Sequence, residues 1–449
     1  MKALFAKYLL FSTVFFFSGM TGITYESVWS QYLKILTGHA AFAQSFILVL
    51  FLAGLAIGAW YGLKIFRKFK NPFISYAVVE FVIGILAISF HPIFDEINYL
   101  LFDNLFSGCN KTAVDLIKWS FAIILTLPPV LLMGATFPIL VAAMELEFPK
   151  RKHQIVSHLY FLNSLGASAG VLLTSFFLIK NFGLPGTLLI SGFTNILIST
   201  ISFAGAFLAI KSPAKTDNVI LKPAFQPPVF IPPLRLKDRQ LVVLIFLGAF
   251  LSGATSFFYE IGWIRMLSMT LGSSVYAFEI MLSAFILGIA IGSLSIKYLI
   301  KKIENIINWL AIIQIFMGVM AVFSILSYNA LFDLMAWMME LVQRNENGFL
   351  LFLTGSHIIA MLMMLPATIL AGMALPVMIL ILQNWDSRKN IVGKTYSIDT
   401  LGGIAGVVIA VHFLLPFFGL KYLLVIGGSL DILIGIVFFM LQSKIRLDR

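Results

Sequence analysis

The sequence has little charge and almost no cysteine. Only 11% of its 449 residues are Asp, Glu, Lys or Arg, whereas 60% are hydrophobic and the mean hydropathy is +0.98. A water-soluble protein of this composition could not cover its surface with polar groups, so lipid must be the solvent for most of the chain. Its single cysteine, Cys109, excludes a disulfide framework and any zinc or iron–sulfur cluster built on cysteines.

Patterns that bind metals, nucleotides or catalytic triads are also missing. The six histidines include no H-x-x-x-H or H-E-x-x-H spacing, and no Gly-x-Gly-x-x-Gly loop lies between a soluble strand and a helix. No Ser–His–Asp arrangement can be argued from the spacing of these residues. We therefore expect no metal site, no cofactor and no enzyme activity.

An internal repeat is the most informative feature that is present. SGMTGITYESVW at Ser18–Trp29 reappears as SGATSFFYEIGW at Ser252–Trp263, and YFLNSLGASAG at Tyr160–Gly170 reappears as YSIDTLGGIAG at Tyr396–Gly406. The glycines four residues apart in the later pair predict close helix packing. A duplicated membrane chain usually forms two similar bundles, with any substrate path between them.

Long apolar stretches predict the fold. Stretches that can cross the roughly 30 Å hydrocarbon layer occur six times in each copy. We therefore predict an all-α polytopic membrane protein with about 12 transmembrane helices in two parallel six-helix repeats, arranged like the halves of major facilitator (MFS) transporters. The predicted bundles are residues 1–210 and 240–449, and the proline-rich residues 211–239 are a predicted cytoplasmic linker.

The positions of the basic residues predict the orientation. Most of the 31 lysines and arginines fall in loops that share one side when both termini are cytoplasmic. The net charge of +11 therefore indicates a positive-inside topology rather than a nucleic-acid partner. The N-terminus resembles a signal peptide but lacks a small-residue cleavage site, so we predict a retained first helix in the bacterial inner membrane. The expected partners are the lipid bilayer and a small-molecule solute.

A longer motif extends the second copy of the repeat. It reads SGATSFFYEIGWIRMLSMTLGSSVYA at Ser252–Ala277, and a Y-x-x-N-x-L-G segment begins at Tyr160. Both segments resemble the membrane portion of the transmembrane spermidine synthase-like family, in which an MFS-like part often precedes a cytosolic aminopropyltransferase domain. Because the chain ends at Arg449, soon after its last predicted span, we expect that domain and its activity to be absent.

Ionisable residues inside a bilayer are costly unless they are paired or hydrated, so each one is a functional candidate. Glu26 and Glu260 are a symmetric pair, because each copy has a tyrosine just before the glutamate and a tryptophan three residues after it. These residues are Tyr25, Trp29, Tyr259 and Trp263. The two glutamates either tie their helices to neighbouring helices or face a central cavity, where they would bind a cation or carry protons.

Positions that differ between the copies are the better candidates for contact with an asymmetric substrate. Four pairs set a carboxylate against a neutral residue: Glu80/Gln314, Glu279/Ser45, Asp399/Asn163 and Asp431/Asn195. We predict function for Glu80 and Asp431, whereas Asp399 is either functional or part of a structural hydrogen-bonded pair. Arg265 stands opposite Gln31 and either holds an anionic group, with a carboxylate on another helix as its partner, or is an arginine at the membrane interface.

Together these features favour a secondary transporter for a small cationic or amine-bearing solute, working by alternating access between the two repeats. The polyamine character of the solute is implied by the resemblance alone. The resemblance also allows a second role, as a membrane anchor or substrate conduit for a separately encoded biosynthetic enzyme such as an aminopropyltransferase. An intramembrane enzyme is least favoured, because no nucleophile lies near a base in the sequence.

Overall fold

The computed structural model describes residues 2–447 with gaps at 38–39, 67–70, 101–109, 208–238, 273–274, 343–345 and 386–389. The described residues form helices and turns and no strand, which confirms the predicted all-α class. The predicted linker, 211–239, lies outside the described residues except for Arg239, where a helix begins. The division of the chain into 1–210, 211–239 and 240–449 therefore stays a prediction.

Thirteen helices run through the described residues. The first copy of the repeat forms α1 (Lys2–Thr37), α2 (Ala40–Phe66), α3 (Pro72–Leu100), α4 (Lys111–Glu147), α5 (Lys152–Leu173) and α6 (Ile179–Phe207). The second copy forms α7 (Arg239–Leu271), α8 (Val275–Leu299), α9 (Ile306–Leu326), α10 (Tyr328–Leu341), α11 (Glu346–Trp385), α12 (Ile391–Ile409) and α13 (Leu415–Leu447). Long apolar sequences form helices in lipid because a helix satisfies every backbone N–H and C=O within the segment.

Ten helical stretches of the described chain are long and apolar enough to cross a membrane. Two of them, Pro149–Phe207 (59 residues) and Ile391–Leu441 (51 residues), are too long for one crossing. At 1.5 Å per residue each would measure roughly 75–90 Å, against about 30 Å of hydrocarbon. Gly183 (φ 65°) and Gly419 (φ 77°) break these stretches in the left-handed region that only glycine adopts without strain. Each stretch therefore holds two crossings, which gives the predicted twelve.

Backbone irregularities follow the repeat as closely as the sequence does. A π-helical turn, Thr174–Leu178, joins α5 to α6, and another, Ala410–Leu414, joins α12 to α13. Both turns, and the two left-handed glycines that follow them, occupy equivalent positions in the two copies. The two halves therefore share a local backbone structure even where their side chains differ.

Glycine seams bring helices into backbone contact within each half. A Cβ atom added at Gly166 on α5 would lie 1.9 Å from the carbonyl oxygen of Phe16 on α1. A Cβ atom added at the equivalent Gly402 on α12 would lie 1.8 Å from the carbonyl oxygen of Phe250 on α7. These distances leave no room for any side chain, which confirms the predicted packing role. The seams set the relative position of the helices that carry most of the candidate residues.

Helix α10 was not predicted from the sequence. It buries Leu331, Met335 and Met338 and leaves Trp337 and Met339 exposed, so it is amphipathic. Its Met338 side chain packs against Gly355 of α11. With 14 residues it is too short to cross a membrane, so the length of apolar stretches in the sequence does not predict it.

The apolar residues of each half lie both inside and outside. Large aromatic side chains such as Phe11, Phe15 and Trp29 are completely buried. Others, such as Phe193 and Phe417, are more than half exposed. An apolar exterior around an apolar interior is the pattern of helices whose solvent is lipid, where packing within the bundle depends on shape rather than on exclusion from water.

Candidate functional site

The repeated tyrosines and tryptophans form matching anchors inside the two halves. Tyr25 stacks on Trp29 with ring centres 5.3 Å apart, and Tyr259 stacks on Trp263 with centres 5.5 Å apart. All four side chains are buried. The Trp263 indole N–H donates to the Ser324 hydroxyl over 2.9 Å, whereas the indole nitrogen of Trp29 has no hydrogen-bond partner among the described residues.

In the first half, Glu80 lies in a buried network of hydrogen bonds. Its carboxylate accepts from the Ser18 hydroxyl (2.6 Å) and from the Asn195 side-chain amide (2.5 Å). The Tyr25 hydroxyl donates to the carbonyl oxygen of the same amide over 2.6 Å. Glu80 is 0% exposed, so this network ties α1, α3 and α6 together in the interior of the first half.

In the second half, the carboxylate and the amide have changed places. Asp431 on α13 stands where the first half has Asn195, and it accepts hydrogen bonds from the Tyr259 hydroxyl and, over 2.9 Å, from the Thr255 hydroxyl. Gln314 on α9 stands where the first half has Glu80. It is completely buried, and within the part of the chain that the structure describes neither of its amide atoms has a hydrogen-bond partner. The geometry therefore gives Glu80 and Asp431 a framework role, and the function predicted for them stays a prediction.

Three other predicted carboxylates, Glu26, Glu260 and Asp399, have a different environment. They are only partly buried, and none makes a hydrogen bond or an ion pair in the described part of the chain. Glu26 on α1 and Glu260 on α7 lie within electrostatic range of each other, although they belong to different halves. Within the described residues, therefore, neither glutamate is hydrogen-bonded to a neighbouring helix or loop, and the structure brings the symmetric pair together where the halves meet.

Asp399 on α12 belongs to the same junction. It lies within electrostatic range of Tyr396 on its own helix and of Tyr160 on α5, in the other half. Tyr396 in turn lies within range of Glu26. A glycine seam positions Asp399, because a Cβ atom added at Gly253 would lie 2.0 Å from its carbonyl oxygen.

Tyr160 and Tyr396 were missed as site residues, although the repeat contains them. They occupy equivalent positions in the two copies, at the start of the two matching motifs. The ring of Phe137 on α4 lies between them, 6.0 Å from Tyr160 and 5.6 Å from Tyr396, centre to centre. Their position in the repeat was the available signal, because a tyrosine opens the matching motif in both copies.

Glu279 on α8 completes the acidic group. It is 5% exposed and lies within electrostatic range of Glu26 and of Lys34, a half-buried residue near the end of α1. The sequence comparison set Glu279 against Ser45 but did not single it out. Glu26, Glu260, Glu279 and Asp399, with Lys34 and the two tyrosines, are called the junction site below.

No hydrogen bond or charge interaction links Arg265 or Gln31 to the junction site among the described residues. Arg265 is exposed near the end of α7 and makes no ion pair in the described part of the chain. Its carbonyl oxygen accepts from Ser268 over 2.8 Å. Gln31 is half-buried on α1. The cross-helix carboxylate partner predicted for Arg265 is not found among the described residues, and this position agrees with an arginine at the membrane interface.

One end of the molecule, called the basic end, carries Lys7, Arg151, Lys297 and Lys394, and polar contacts hold the halves together there. The Gln154 amide on α5 donates to the Lys297 carbonyl oxygen on α8 (3.3 Å). At the equivalent position of the second copy, the Asn390 amide donates to the carbonyl oxygens of Ala59 and Trp60 on α2 (3.2 and 3.3 Å). These hydrogen bonds, at equivalent positions of the two copies, join the two halves at the basic end.

A third cross-half bond at the basic end joins two equivalent positions directly. The Gln383 amide on α11 donates to the Glu145 carboxylate on α4 over 2.8 Å. Deeper in the molecule, Ser168 on α5 and Ser283 on α8 each donate a hydrogen bond to the other's carbonyl oxygen, over 2.9 and 3.1 Å. Hydrogen bonds therefore join the two halves both at the basic end and between α5 and α8.

No group of three or more His, Cys, Asp or Glu side chains in the described residues could hold a metal ion. The acidic residues of the junction site do not form one compact set of metal ligands, but together they make the site electrostatically negative. The arrangement can attract a cation into a partly desolvated place between two rigid halves, and aromatic rings and phenol hydroxyls are present to contact it.

Comparison with known proteins shows the fold and no closer relationship. No protein-family description and no curated protein sequence matches the chain. Solved structures that resemble it include a bacterial homologue of the iron transporter ferroportin in an outward-facing state, with a TM-score of 0.57 and 14% identity over 96% of this chain and 99% of that one. PepTSo, a transporter of the POT family, matches with a TM-score of 0.58 and 12% identity over 99% of both chains.

The Escherichia coli fucose:proton symporter FucP matches with a TM-score of 0.56 and 13% identity over 98% of this chain and 99% of that one. Matches that cover both chains almost completely confirm the predicted MFS-like architecture. Identities this low show the fold alone. The protein is a multi-pass membrane protein with the fold of MFS-type transporters.

Proposed function

We propose that the protein is a secondary transporter that moves a small cationic or amine-bearing solute across a cell membrane by alternating access. The observation that carries this proposal is the contrast between two kinds of carboxylate. Glu80 and Asp431 are completely buried and hydrogen-bonded, whereas Glu26, Glu260 and Asp399 are partly exposed and unbonded at the junction of the halves. Buried, hydrogen-bonded carboxylates suit a structural framework, whereas partly exposed, unbonded carboxylates suit a site that binds and releases a ligand.

The charge balance of the junction site favours a cation. Glu26 lies within electrostatic range of both Glu260 and Glu279, and the Lys34 ammonium lies within range of Glu279. Carboxylates within electrostatic range of one another repel, as Glu26 does with Glu260 and with Glu279. A cation bound beside them replaces part of this repulsion with attraction.

The aromatic residues favour an amine over a bare metal ion. Tyr160, Tyr396 and Phe137 form a continuous aromatic surface beside Asp399. Aromatic faces attract ammonium groups, and phenol oxygens accept their hydrogen bonds. The POT-family, fucose and ferroportin-related neighbours are transporters named for different solutes, so the fold supports the transporter class and the residues support the class of solute.

The hydrogen bonds between the halves at the basic end support the proposal of alternating access. Opening this end requires the Gln154, Asn390 and Gln383 bonds to break together, because each of them joins one half to the other. We infer that this end faces the cytoplasm, with both termini there, in the bacterial inner membrane. We also infer membership of the transmembrane spermidine synthase-like family from the motif at Ser252–Ala277, which is the only support for a polyamine-like solute.

Transport by purified protein in liposomes tests the proposal. We expect saturable uptake of labelled mono-, di- and triamines and none of a neutral sugar. Glu26→Gln, Glu260→Gln and Asp399→Asn should each reduce uptake at least tenfold, because each removes a charge from the site. Glu96→Gln, an exposed carboxylate on α3, is the matched control and should transport like the parent protein.

Unchanged amine uptake in all three site variants would show that the carboxylate mechanism is wrong. Sugar uptake equal to amine uptake would contradict the solute class. The second role, as a partner of a separately encoded enzyme, stays a prediction from the resemblance.

A further inference from the structure

Helix α10 joins two membrane crossings at the end of the molecule opposite the basic end. Lys297 lies in the last turn of α8, at the basic end, so α9 runs from that end to the opposite one. The crossing formed by α9 ends at Leu326, α10 begins at Tyr328, and the next crossing begins at Gly348. A helix of 14 residues is too short to cross the membrane, so α10 lies at the membrane surface between the two crossings.

The residues of α10 divide the helix into four faces, because positions about 3.6 residues apart share a face. The face that is buried against the protein consists of Leu331, Met335 and Met338. The opposite face is exposed and is called the polar stripe; it consists of Asn329, Asp333 and Glu340. Between these faces lie two exposed apolar flanks, Phe332 with Met339 on one side and Trp337 with Leu341 on the other.

The buried face fixes how α10 is rotated. Leu331 belongs to the same buried apolar cluster as Leu267 and Leu271 of α7. On α11, a Cβ atom added at Gly355 would clash with the sulfur atom of Met338. Because the helix packs closely against two neighbouring helices, the directions of its flanks and of its polar stripe follow from that packing.

The two flanks indicate what covers them. Trp337 is 59% exposed, and apolar side chains of this size are unfavourable in water. A protein surface that covered both flanks would also bury the charged polar stripe between them, which is costly. The interface of a bilayer can cover both flanks and leave the stripe in water, which is the position of amphipathic membrane-surface helices. Tryptophan is also enriched at membrane–water interfaces.

The neighbouring crossings continue the same apolar surface. Phe323 and Leu326 at the end of α9, and Phe349 and Leu350 at the start of α11, are all more than half exposed. Lipid is the solvent of these crossing helices. We propose that α10 is an in-plane amphipathic helix that binds the lipid surface of the membrane, with both flanks among phospholipid chains and the polar stripe in water.

The polar stripe also indicates the kind of lipid contact. α10 contains two carboxylates, Asp333 and Glu340, and no lysine or arginine. Helices that are attracted to anionic lipids have basic residues on their polar face, so α10 depends on apolar area instead. Its attachment to α7, the helix that carries Glu260, holds this end of the second half at the membrane surface. This inference goes beyond the proposed function and does not depend on transport.

Nitroxide labels on single cysteines, in protein reconstituted into phosphatidylcholine nanodiscs, test the inference. The background is Cys109→Ser, and the accessibility of each label to oxygen, which concentrates in lipid, is compared with its accessibility to a water-soluble nickel complex. The flank variants are Phe332→Cys, Met339→Cys and Leu341→Cys, and the stripe variants are Asp333→Cys and Glu340→Cys. Matched references are Phe316→Cys, exposed in the middle of α9, and Glu304→Cys, exposed in a turn at the basic end.

We expect the flank labels to favour oxygen, at depths of about 5–10 Å, between the values of the two references. The stripe labels should match Glu304→Cys. Flank labels as accessible to the nickel complex as Glu304→Cys would place α10 in water and overturn the inference. Flank labels that neither reagent reaches are covered by protein, either a second copy or another part of this chain, and this result also overturns it.

A second measurement uses the native tryptophan and needs no cysteine, so it decides the matter if a labelled variant does not purify. The fluorescence of Trp337 is the difference between the parent protein and Trp337→Phe, a change at an exposed position. Lipids brominated near the carboxyl end of their chains should quench this difference more than lipids brominated near the methyl end. Absence of quenching by either lipid would contradict the placement of Trp337 in the bilayer interface.

Discussion

The exchanged positions of carboxylate and amide in the two halves can be tested by exchanging them again. In the first half the carboxylate is Glu80 on α3 and the amide is Asn195 on α6, whereas in the second half the amide is Gln314 and the carboxylate is Asp431. The double substitution Glu80→Gln with Asn195→Asp gives the first half the arrangement of the second. We expect each single substitution to destabilise the protein and the double substitution to recover much of the loss.

The size of the effect follows from the bonds that Glu80 accepts. It accepts two hydrogen bonds, from Ser18 at 2.6 Å and from Asn195 at 2.5 Å. Bonds to a charged group contribute about 1.5–3 kcal/mol each, and Glu80→Gln turns an N–H₂ group toward one of the donors, so we expect a loss of about 2–4 kcal/mol. Asn195→Asp sets a second carboxylate against Glu80 at a distance where like charges repel by about 4 kcal/mol.

Together the single losses amount to about 6–8 kcal/mol if the two sites are independent. The double substitution leaves one carboxylate beside the Tyr25 donor, as Asp431 lies beside Tyr259 in the second half, so the losses should not add. We expect a coupling energy of at least about 3 kcal/mol, well above the few tenths seen between distant sites.

Denaturant unfolding in mild detergent, followed by tryptophan fluorescence, measures this coupling energy. The reverse exchange, Gln314→Glu with Asp431→Asn, is the matched experiment in the second half and should show the same recovery. Glu80→Gln combined with Asp431→Asn is the control, because the two residues lie in separate networks and their losses should add. A double exchange as unstable as the sum of its single substitutions would refute the idea that both halves use one network with its charge relocated.

Two further predictions concern the helix seams and the closed basic end. Gly402→Ala should lower the free energy of unfolding by more than about 2 kcal/mol, because its Cβ atom would lie 1.8 Å from the Phe250 carbonyl oxygen. Gly22→Ala should be nearly neutral, because its Cβ atom would meet only the flexible end of Met133, at 3.1 Å. Melting temperatures compare the two variants, and equal values would contradict the packing role of the seam. Gln383→Ala removes the 2.8 Å bond to Glu145 and should open the basic end about fivefold more often if that bond contributes about 1 kcal/mol. Maleimide labelling of Ser157→Cys in a Cys109→Ser background measures this opening, and an unchanged labelling rate would show that the bond does not hold the halves together.

Much of the architecture could be predicted because it depends on local properties of the chain. The length of each apolar stretch sets where it crosses the membrane, and the repeated motif shows that two similar units exist. The glycine pairs also predict their seams, since only a residue without a side chain tolerates backbone contact. Helix α10 escaped prediction because 14 amphipathic residues are too short to cross a membrane.

The candidate site was only partly predictable. Sequence comparison drew attention to the carboxylates but assigned function to Glu80 and Asp431 because they differ between the copies. In the structure each of these two is the acidic member of a matching buried network, and the difference lies in which helix carries the charge. Tyr160 and Tyr396 were overlooked because their contact through Phe137 joins three helices that are distant in the chain.

The sequence by itself determined that this is a duplicated all-helical membrane protein with several carboxylates inside its spans. Hydrophobic length and repetition are read along one chain, so no folding information was needed for that. Only the tertiary structure decided which carboxylates are satisfied and which are free. The reason is that the hydrogen-bond partners of a buried carboxylate come from other helices. Asn195 donates to Glu80, whereas no donor in the described chain bonds to Glu26. Only the packing of the helices distinguishes a structural carboxylate from one that can bind a ligand.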